Sequence, residues 1–326
     1  MARRPTKLDR QLDRLRALGD AGDAEAIGPL EELLGDSSGI VVSQAAHAVQ
    51  TRGLRELRPA LRAAFDRLLI DPVKRDPGCL GKHAALEALD HLDETDPDVF
   101  LRAVRLVQLE PAYGASVDTA GGVRSRGGAA LARLGHDDAL LALARLVGDP
   151  IADVRRAALE TLAYHADRAG AAVALHKLMA GDEDPMVVAA AVGTLLALAP
   201  DFAAAELRPR LLGGDDDDQE LVSVTLGQSN SEVALDLLVE WFEEAVLATE
   251  RALALAAIGL HRSDRARQFL LDRVADGSHP VARAAIEALS IHRYDDRLRR
   301  QALDAAGESA IEGLTSEVDR AFADEG

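Results

Sequence analysis

Residues 84–90 read AALEALD, and degraded copies of this phrase return in register along the chain. The other copies begin at Gln44, Ala129, Ala157, Ala190, Leu221, Leu253 and Ala284. The large apolar residues at the sixth place, from Val49 to Leu289, are separated by 40, 45, 28, 33, 31, 32 and 31 residues. A period of about 31 residues with helical spacing is typical of arrays of short helix pairs. The sequence therefore predicts an all-α fold, a right-handed α-α superhelix of about eight to nine helix-pair repeats.

The unit at residues 137–166 shows the two helices most clearly. Apolar residues from Ala139 to Val147 fall on one helical stripe, and a second stripe runs from Val154 to Leu162. The tripeptide GDP at 148–150 lies between them, where Asp suits a helix cap and Pro suits the first turn of a helix. Each unit is therefore predicted to be helix A, a tight turn and helix B, with the repeated phrase on helix B. No strand is predicted anywhere in the chain.

The segment GDPIADVRRAALETLA at 148–163 resembles the HEAT-like repeat of the phycobilin-lyase class, whose loose pattern is D-P, then V-R, then A-x-x-A-L-G. Asp149 matches the turn Asp of that repeat, and Arg155 matches its Arg. The resemblance covers about residues 40–300 and implies a HEAT-like solenoid. It implies no single activity, because such repeats serve scaffolds, chaperones and a few enzymes.

The array is predicted to fill the chain, residues 1–326, as a single domain, because each unit of a solenoid packs only on its neighbours. The predicted parts are an N-terminal cap at 1–37, HEAT-like repeats at 38–294 and a C-terminal cap at 295–326. Residues 1–16 carry six basic side chains, which we interpret as the start of the capping helix. An arm that binds nucleic acid or an acidic partner is the alternative for this segment.

The charge balance bears on possible partners. The chain has 55 acidic and 37 basic residues and a formal net charge of −18, so broad nucleic-acid binding is disfavoured and a basic partner is expected. The longest apolar run, around residues 186–200, is too short to span a membrane. A single cysteine, Cys79, fits a reducing cytoplasm. Heavy use of Ala, Arg, Asp and Gly suggests a bacterial source.

Two insertions break the repeat, at residues 70–82 and 108–124, where the steps are 40 and 45 residues. Each lies between helix A and helix B of its own unit, so the two are predicted to emerge as neighbours. We expect a partner-binding site there formed by Lys74, Lys82, Gln108, Glu110, Tyr113, Asp118, Arg124 and Arg126. Two alternatives remain open. These residues would only cap and pack, or they would form a catalytic site with Asp118 or Glu110 as acid–base and Lys82 or Cys79 as nucleophile.

The fourth place of the repeated phrase points away from the packed face of helix B. In the middle of the array it is small or apolar, which predicts a concave binding face for an amphipathic helix or an extended peptide. The residues concerned are Ala132, Glu160, Gly193, Val224 and Ala256. Tight curvature that merely needs small side chains is the alternative interpretation.

Function is predicted as a non-enzymatic scaffold or adaptor that binds a protein partner on the concave face and on the two insertions. The alternative is a bilin-lyase-like or other small-molecule enzyme that uses the insertions as its site. The nine histidines show no zinc-ligand spacing and none precedes a Glu, so we expect no metal and no cofactor.

Overall fold

A computed structural model describes residues 6–19, 21–165 and 168–323. The described chain is helical apart from one small two-stranded sheet. Its contacts divide it into two compact units, Met1–His165 and Ala166–Gly326. Arg3 and Arg4 of the basic first segment lie outside the described residues.

The helices of the first unit are α1 (Lys7–Ala17), α2 (Asp23–Leu34), α3 (Gly39–Arg52), α4 (Arg58–Leu68), α5 (Pro72–Arg75), α6 (Leu80–His91), α7 (Asp98–Ala103), α8 (Gly121–Arg133), α9 (Ala139–Val147) and α10 (Ala152–Tyr164). Its strands are β1 (Leu109–Ala112) and β2 (Ala115–Asp118), and its 3₁₀ turns are Arg55–Leu57 and Pro77–Cys79. The connection is short between α2 and α3 and longer between α4 and α6 and between α7 and α8.

The helices of the second unit are α11 (Gly170–Ala180), α12 (Pro185–Leu198), α13 (Pro200–Gly213), α14 (Asp216–Gln228), α15 (Glu232–Glu244), α16 (Ala248–Leu260), α17 (Asp264–Asp276), α18 (His279–Leu289), α19 (Asp296–Glu308) and α20 (Leu314–Ala321). A 3₁₀ turn at Ser290–His292 follows α18. The start of α12 has the cap that its sequence indicates: Pro185 is the first helical residue, and the Asp184 side chain accepts the Met186 N–H at 2.9 Å.

The eight copies of the repeated phrase all lie on helices, and these helices pack in series within each unit. In the first unit α3 packs on α6, α6 on α8 and α8 on α10; in the second unit α12 packs on α14, α14 on α16 and α16 on α18. Each also packs against the first helix of its own helix pair. Their sixth-place apolar residues are buried, except for the half-buried Leu134. The predicted helical class and the packing role of the phrase are therefore confirmed.

Small residues let successive helices of the series approach closely. A Cβ atom added to Gly227 of α14 would lie 2.2 Å from the carbonyl oxygen of Ala257 in α16. A Cβ atom added to Gly259 of α16 would lie 2.6 Å from the carbonyl oxygen of Ala288 in α18. Neither backbone contact leaves room for a methyl group.

The expectation that the chain contains no strand is wrong at the second insertion. Residues 109–112 and 115–118 form an antiparallel hairpin in which Leu109 pairs with Asp118 and Ala112 with Ala115. Its turn is Tyr113-Gly114, and Gly114 has φ 79°, a left-handed conformation that glycine adopts without strain. The short pairing explains why hydropathy alone did not indicate it, because four-residue strands with a proline carry a weak pattern.

Among the described helices, none combines the length and the apolar character needed to cross a membrane.

Candidate functional site

The first insertion is held from inside by a buried ion pair. The Nζ atom of Lys82 lies 2.8 Å from Oδ2 of Asp76, and neither side chain is exposed to solvent. The carboxylate of Asp76 also accepts the backbone N–H groups of Gly81 and Lys82, at 2.7 and 3.0 Å. Since the ammonium of Lys82 is enclosed, this residue positions the insertion from within and does not reach a partner directly.

The hairpin docks on the first insertion through Glu110. Its Oε1 atom accepts hydrogen bonds from the Gly78 N–H at 2.6 Å and from the side chains of Gln108 and Thr119, each at 2.7 Å. The Gln108 amide also donates to the carbonyl oxygen of Asp76 at 2.9 Å. Burial acts to raise the pKa of Glu110, but the hydrogen bonds from Gln108, Thr119 and Gly78 outweigh it and lower this pKa below its ordinary value. The two insertions therefore form one hydrogen-bonded platform.

Arg124 fixes the base of the hairpin to the next helix pair. Its guanidinium donates to both carboxylate oxygens of Asp149, at 2.7 and 2.8 Å, to Asp118 at 2.7 Å and to the Leu106 carbonyl at 2.8 Å. Asp118 in turn accepts the backbone N–H groups of Gln108 and Ala120. Burial acts to raise the pKa of Asp118, but these N–H bonds and Arg124 together lower it. Arg124 and Asp118 thus support the platform from below.

Cys79 closes the first insertion at the start of α6. It has φ 56°, an uncommon conformation for a residue with a side chain, and its Sγ atom lies 3.6 Å from the Thr119 hydroxyl. The side chain is buried, and this burial raises the pKa of the thiol. The thiolate form is therefore disfavoured at neutral pH.

Several apolar side chains of the platform are exposed. Tyr113 at the hairpin turn is fully exposed, and Leu109 and Val117 of the two strands and Leu80 of α6 are each more than half exposed. In the register of the hairpin Val117 shares a face with Glu110, and Leu109 lies on the opposite face. Exposed apolar side chains that adjoin a groove are a feature of interaction sites in many proteins.

A groove runs from the platform along α6 and α8. Its first part is a cavity of about 420 Å³ between α3, α6 and the start of α8, and its second part is a cavity of about 640 Å³ along α6, α8 and α10. Both parts share the lining residues His83 and Gly122, so they adjoin there. We call this surface the α6–α8 groove. The polar side chains of its first part, apart from the thiol of Cys79, are those of Ser43, Gln44, His47, Gln50, His83, Glu87 and Thr119.

His83 sits at the junction of the two parts. A Cβ atom on Gly122 would lie 3.1 Å from Cδ2 of His83, so the glycine leaves room for the imidazole ring. Burial lowers the pKa of His83, and the nearby Arg126 adds to this effect while Glu87 opposes it. The imidazole is therefore a neutral donor and acceptor at pH 7, available to a ligand in the groove.

Ion pairs line the second part of the groove. Arg126 of α8 lies 3.3 Å from Glu87 and 3.8 Å from Asp90, both on α6. Arg133, further along α8, lies 2.5 Å from Asp90. These pairs join the two helices across the groove, and about a third of each arginine side chain stays exposed.

The predicted insertion residues fall into three groups. Lys74 and Tyr113 are exposed; Glu110, Asp118 and Arg126 are half-buried and engaged in the bonds and ion pairs described above; and Lys82, Gln108 and Arg124 are buried. His83 and Gly122 line both cavities but were not predicted, because a lone His and a Gly on a helix carry no sequence signal for a site.

The predicted concave-face residues are divided between the two units. Ala132 and Glu160 belong to the first unit, and Glu160 lines the second part of the groove and pairs with Arg156 at 2.9 Å. Gly193 and Val224 of the second unit are half-buried, and Ala256 is exposed. All five lie on helices that carry the repeated phrase.

In the part of the chain that the structure describes, no three His, Cys, Asp or Glu side chains are grouped so as to hold a metal ion.

The sequence matches no protein-family model, and no curated protein is significantly similar to it.

Proposed function

We propose that this protein is a HEAT-like α-solenoid that binds a protein partner through the exposed side of the platform and the α6–α8 groove. The serial packing of phrase-bearing helices within each unit supports the solenoid, because each helix pair contacts its neighbours in sequence. The location of the groove on α3, α6, α8 and α10 supports a binding face on the helix B side of the first unit.

The observation that carries the proposal is Tyr113. A fully exposed aromatic side chain stands at the turn of a hairpin whose base is fixed by Glu110 and Arg124. A rigid aromatic residue loses little conformational freedom on binding, and tyrosine is enriched among residues that dominate binding energy. The hydrogen bonds of Glu110 and Arg124 that hold the hairpin do not involve the Tyr113 side chain. A bound partner best explains why an aromatic residue stands at this exposed turn.

The expected partner is a protein with a basic surface. The formal net charge of −18 favours such a partner through long-range attraction and disfavours nucleic acid. The shape of the groove suits an amphipathic helix or an extended segment. We place the encounter in the cytoplasm, where the single cysteine would stay reduced.

The residues considered for catalysis are engaged in internal contacts. Lys82 is enclosed with Asp76, Glu110 accepts three hydrogen bonds, and Asp118 is bound to Arg124. These contacts favour a binding module over a bilin-lyase-like enzyme that would use the same side chains.

The test is affinity capture from the native lysate with the wild type and two single variants. Tyr113→Ala removes the exposed aromatic at the platform, and Tyr294→Ala removes one of similar exposure in the second unit. We expect the wild type and Tyr294→Ala to capture the same protein and Tyr113→Ala to lose it. The circular dichroism spectra of both variants should match that of the wild type, which shows that both are folded. Equal recovery by both variants would overturn the proposal.

A further inference from the structure

We propose that the open edge of β2 receives an extended peptide segment as an added strand, and that the segment continues into the first part of the α6–α8 groove. This inference rests on the proposed function and states how the partner is held. It follows from the register of the hairpin, the position of one proline and the residues at the end of β2.

The register decides which backbone groups point outward. The Thr119 N–H donates to the Gln108 carbonyl oxygen at 2.9 Å, so these two residues form a hydrogen-bonded pair. Pairs alternate in an antiparallel ladder, so the pairs Glu110–Val117 and Ala112–Ala115 are also bonded. The pairs Leu109–Asp118 and Pro111–Ser116 are then non-bonded, and their backbone groups face away from the hairpin.

The two edges of the hairpin are not equivalent. On β1 the outward residue Pro111 has no N–H group, so this edge lacks a donor at its centre. On β2 the outward residue at the same level is Ser116, which presents both N–H and C=O, and Asp118 follows two residues later. Ser116 is exposed. Only β2 therefore offers a regular set of donors and acceptors to an incoming strand.

The end of β2 leads to the groove. Thr119 follows β2 directly and lines the 420 Å³ cavity together with His83 and Glu87. Histidines aside, Glu87 is the one formally charged side chain among the residues lining this cavity, and about 39% of it is exposed. Its contact with Arg126 is long, at 3.3 Å, so it can accept a further basic group.

These features define the occupant. Exposed Val117 on β2 and Leu80 beside the cavity favour apolar residues at alternate positions of the segment, and Glu87 favours a Lys or Arg where the segment enters the groove. A second copy of this chain is disfavoured as the occupant, because two molecules of charge −18 repel one another. The occupant is therefore an extended segment of a basic partner protein.

The test uses a phage-displayed library of random linear peptides as the probe. The library is panned on the full-length wild type, and the best binder is synthesised and titrated by fluorescence anisotropy. Ser116→Pro removes the outward N–H while leaving every bonded pair of the hairpin intact, and Ser116→Ala is its matched control. We expect roughly fivefold or greater loss of affinity with Ser116→Pro and little change with Ser116→Ala. The amide of Ser116 should also become protected from hydrogen exchange when the peptide is bound.

The other outcomes separate the two proposals. A selected peptide that binds Ser116→Pro as tightly as the wild type, yet loses affinity with Tyr113→Ala, would overturn strand addition and leave the partner-binding platform standing. A library that yields no binder, or a selected peptide that needs neither Ser116 nor Tyr113, would also overturn strand addition. The lysate capture with Tyr113→Ala and Tyr294→Ala then decides the proposed function by itself. Thermal unfolding of each variant shows that a loss of binding does not come from a loss of fold.

Discussion

Arg124 and Asp149 are joined by two parallel hydrogen bonds, from Nε to Oδ2 at 2.7 Å and from Nη2 to Oδ1 at 2.8 Å. Arg124 belongs to α8, and Asp149 precedes α10 in the turn between two helices. Both side chains are over nine-tenths buried. The same guanidinium holds Asp118 at the base of the hairpin, so one side chain links the platform to the following helix pair.

We expect Arg124→Lys to destabilise the protein by about 2–4 kcal/mol. Lysine keeps the positive charge but cannot make the planar, bidentate contact with the buried carboxylate of Asp149. Urea unfolding followed by circular dichroism measures the change. Arg126→Lys is the matched control on the same helix, and since Arg126 is about a third exposed we expect it to cost less than about 1 kcal/mol. Equal effects of the two substitutions would contradict the assigned role of Arg124.

Two glycines of the second unit should respond in opposite directions to the same substitution. Gly227→Ala places a methyl group 2.2 Å from a backbone oxygen of α16, so we expect it to destabilise by about 1–3 kcal/mol. No atom lies within 4 Å of a Cβ on Gly193 of α12, so Gly193→Ala should stabilise by about 0.5–1 kcal/mol through helix propensity. Thermal unfolding of both variants checks the signs, and a stabilising Gly227→Ala would show that α14 and α16 are not in close contact.

The hydrogen bonds to Glu110 should make stability depend on pH. Its pKa in the folded protein is lowered from an ordinary value of 4.5, so its contribution is present above that pH and is lost as the pH falls through the lower, folded pKa. We expect Glu110→Gln to lower the midpoint of thermal unfolding at neutral pH, and the difference from the wild type to shrink below about pH 4. Glu56→Gln, at an exposed carboxylate of the same unit, is the control. A difference that stays constant with pH would contradict the role of the carboxylate.

Cys79 should react slowly while the protein is folded. Burial encloses its sulfur and raises the pKa of the thiol, so the thiolate that attacks a disulfide reagent is scarce. We expect labelling by a chromogenic disulfide at pH 8 to be roughly tenfold or more slower in the native protein than in guanidinium chloride. Because Cys79 is the single cysteine, the signal reports this site alone. Fast labelling of the native protein would mean that the first insertion opens readily.

Much of the helical framework was predictable from the repeated phrase. All eight copies lie on helices, since apolar residues at helical spacing recur with turn signals such as Asp184-Pro185 between them. The two insertions also lie side by side, as their adjacent places in the array predicted, with Glu110 of one accepting the N–H of Gly78 in the other.

The direction of individual side chains in the insertions could not be predicted. Lys74 and Lys82 look alike in the sequence, yet one is exposed and the other is enclosed against Asp76. Whether Lys82 is buried depends on how the chain places its ammonium group against the Asp76 carboxylate. No local pattern in the sequence indicates that contact. The hairpin was missed for a related reason, because its two strands depend on pairing with each other and on the bonds of Glu110 rather than on hydropathy.

Pro111 has a consequence for how this protein behaves at high concentration. A short sheet with two usable edges can grow into fibres by strand pairing, because each added molecule presents its own second edge to the next one. Here the missing N–H of Pro111 removes a donor from one side, so a molecule that joins at β2 meets an imperfect template on the far strand. Growth through these strands would therefore end after a single addition, so the open edge of β2 does not by itself lead to fibres.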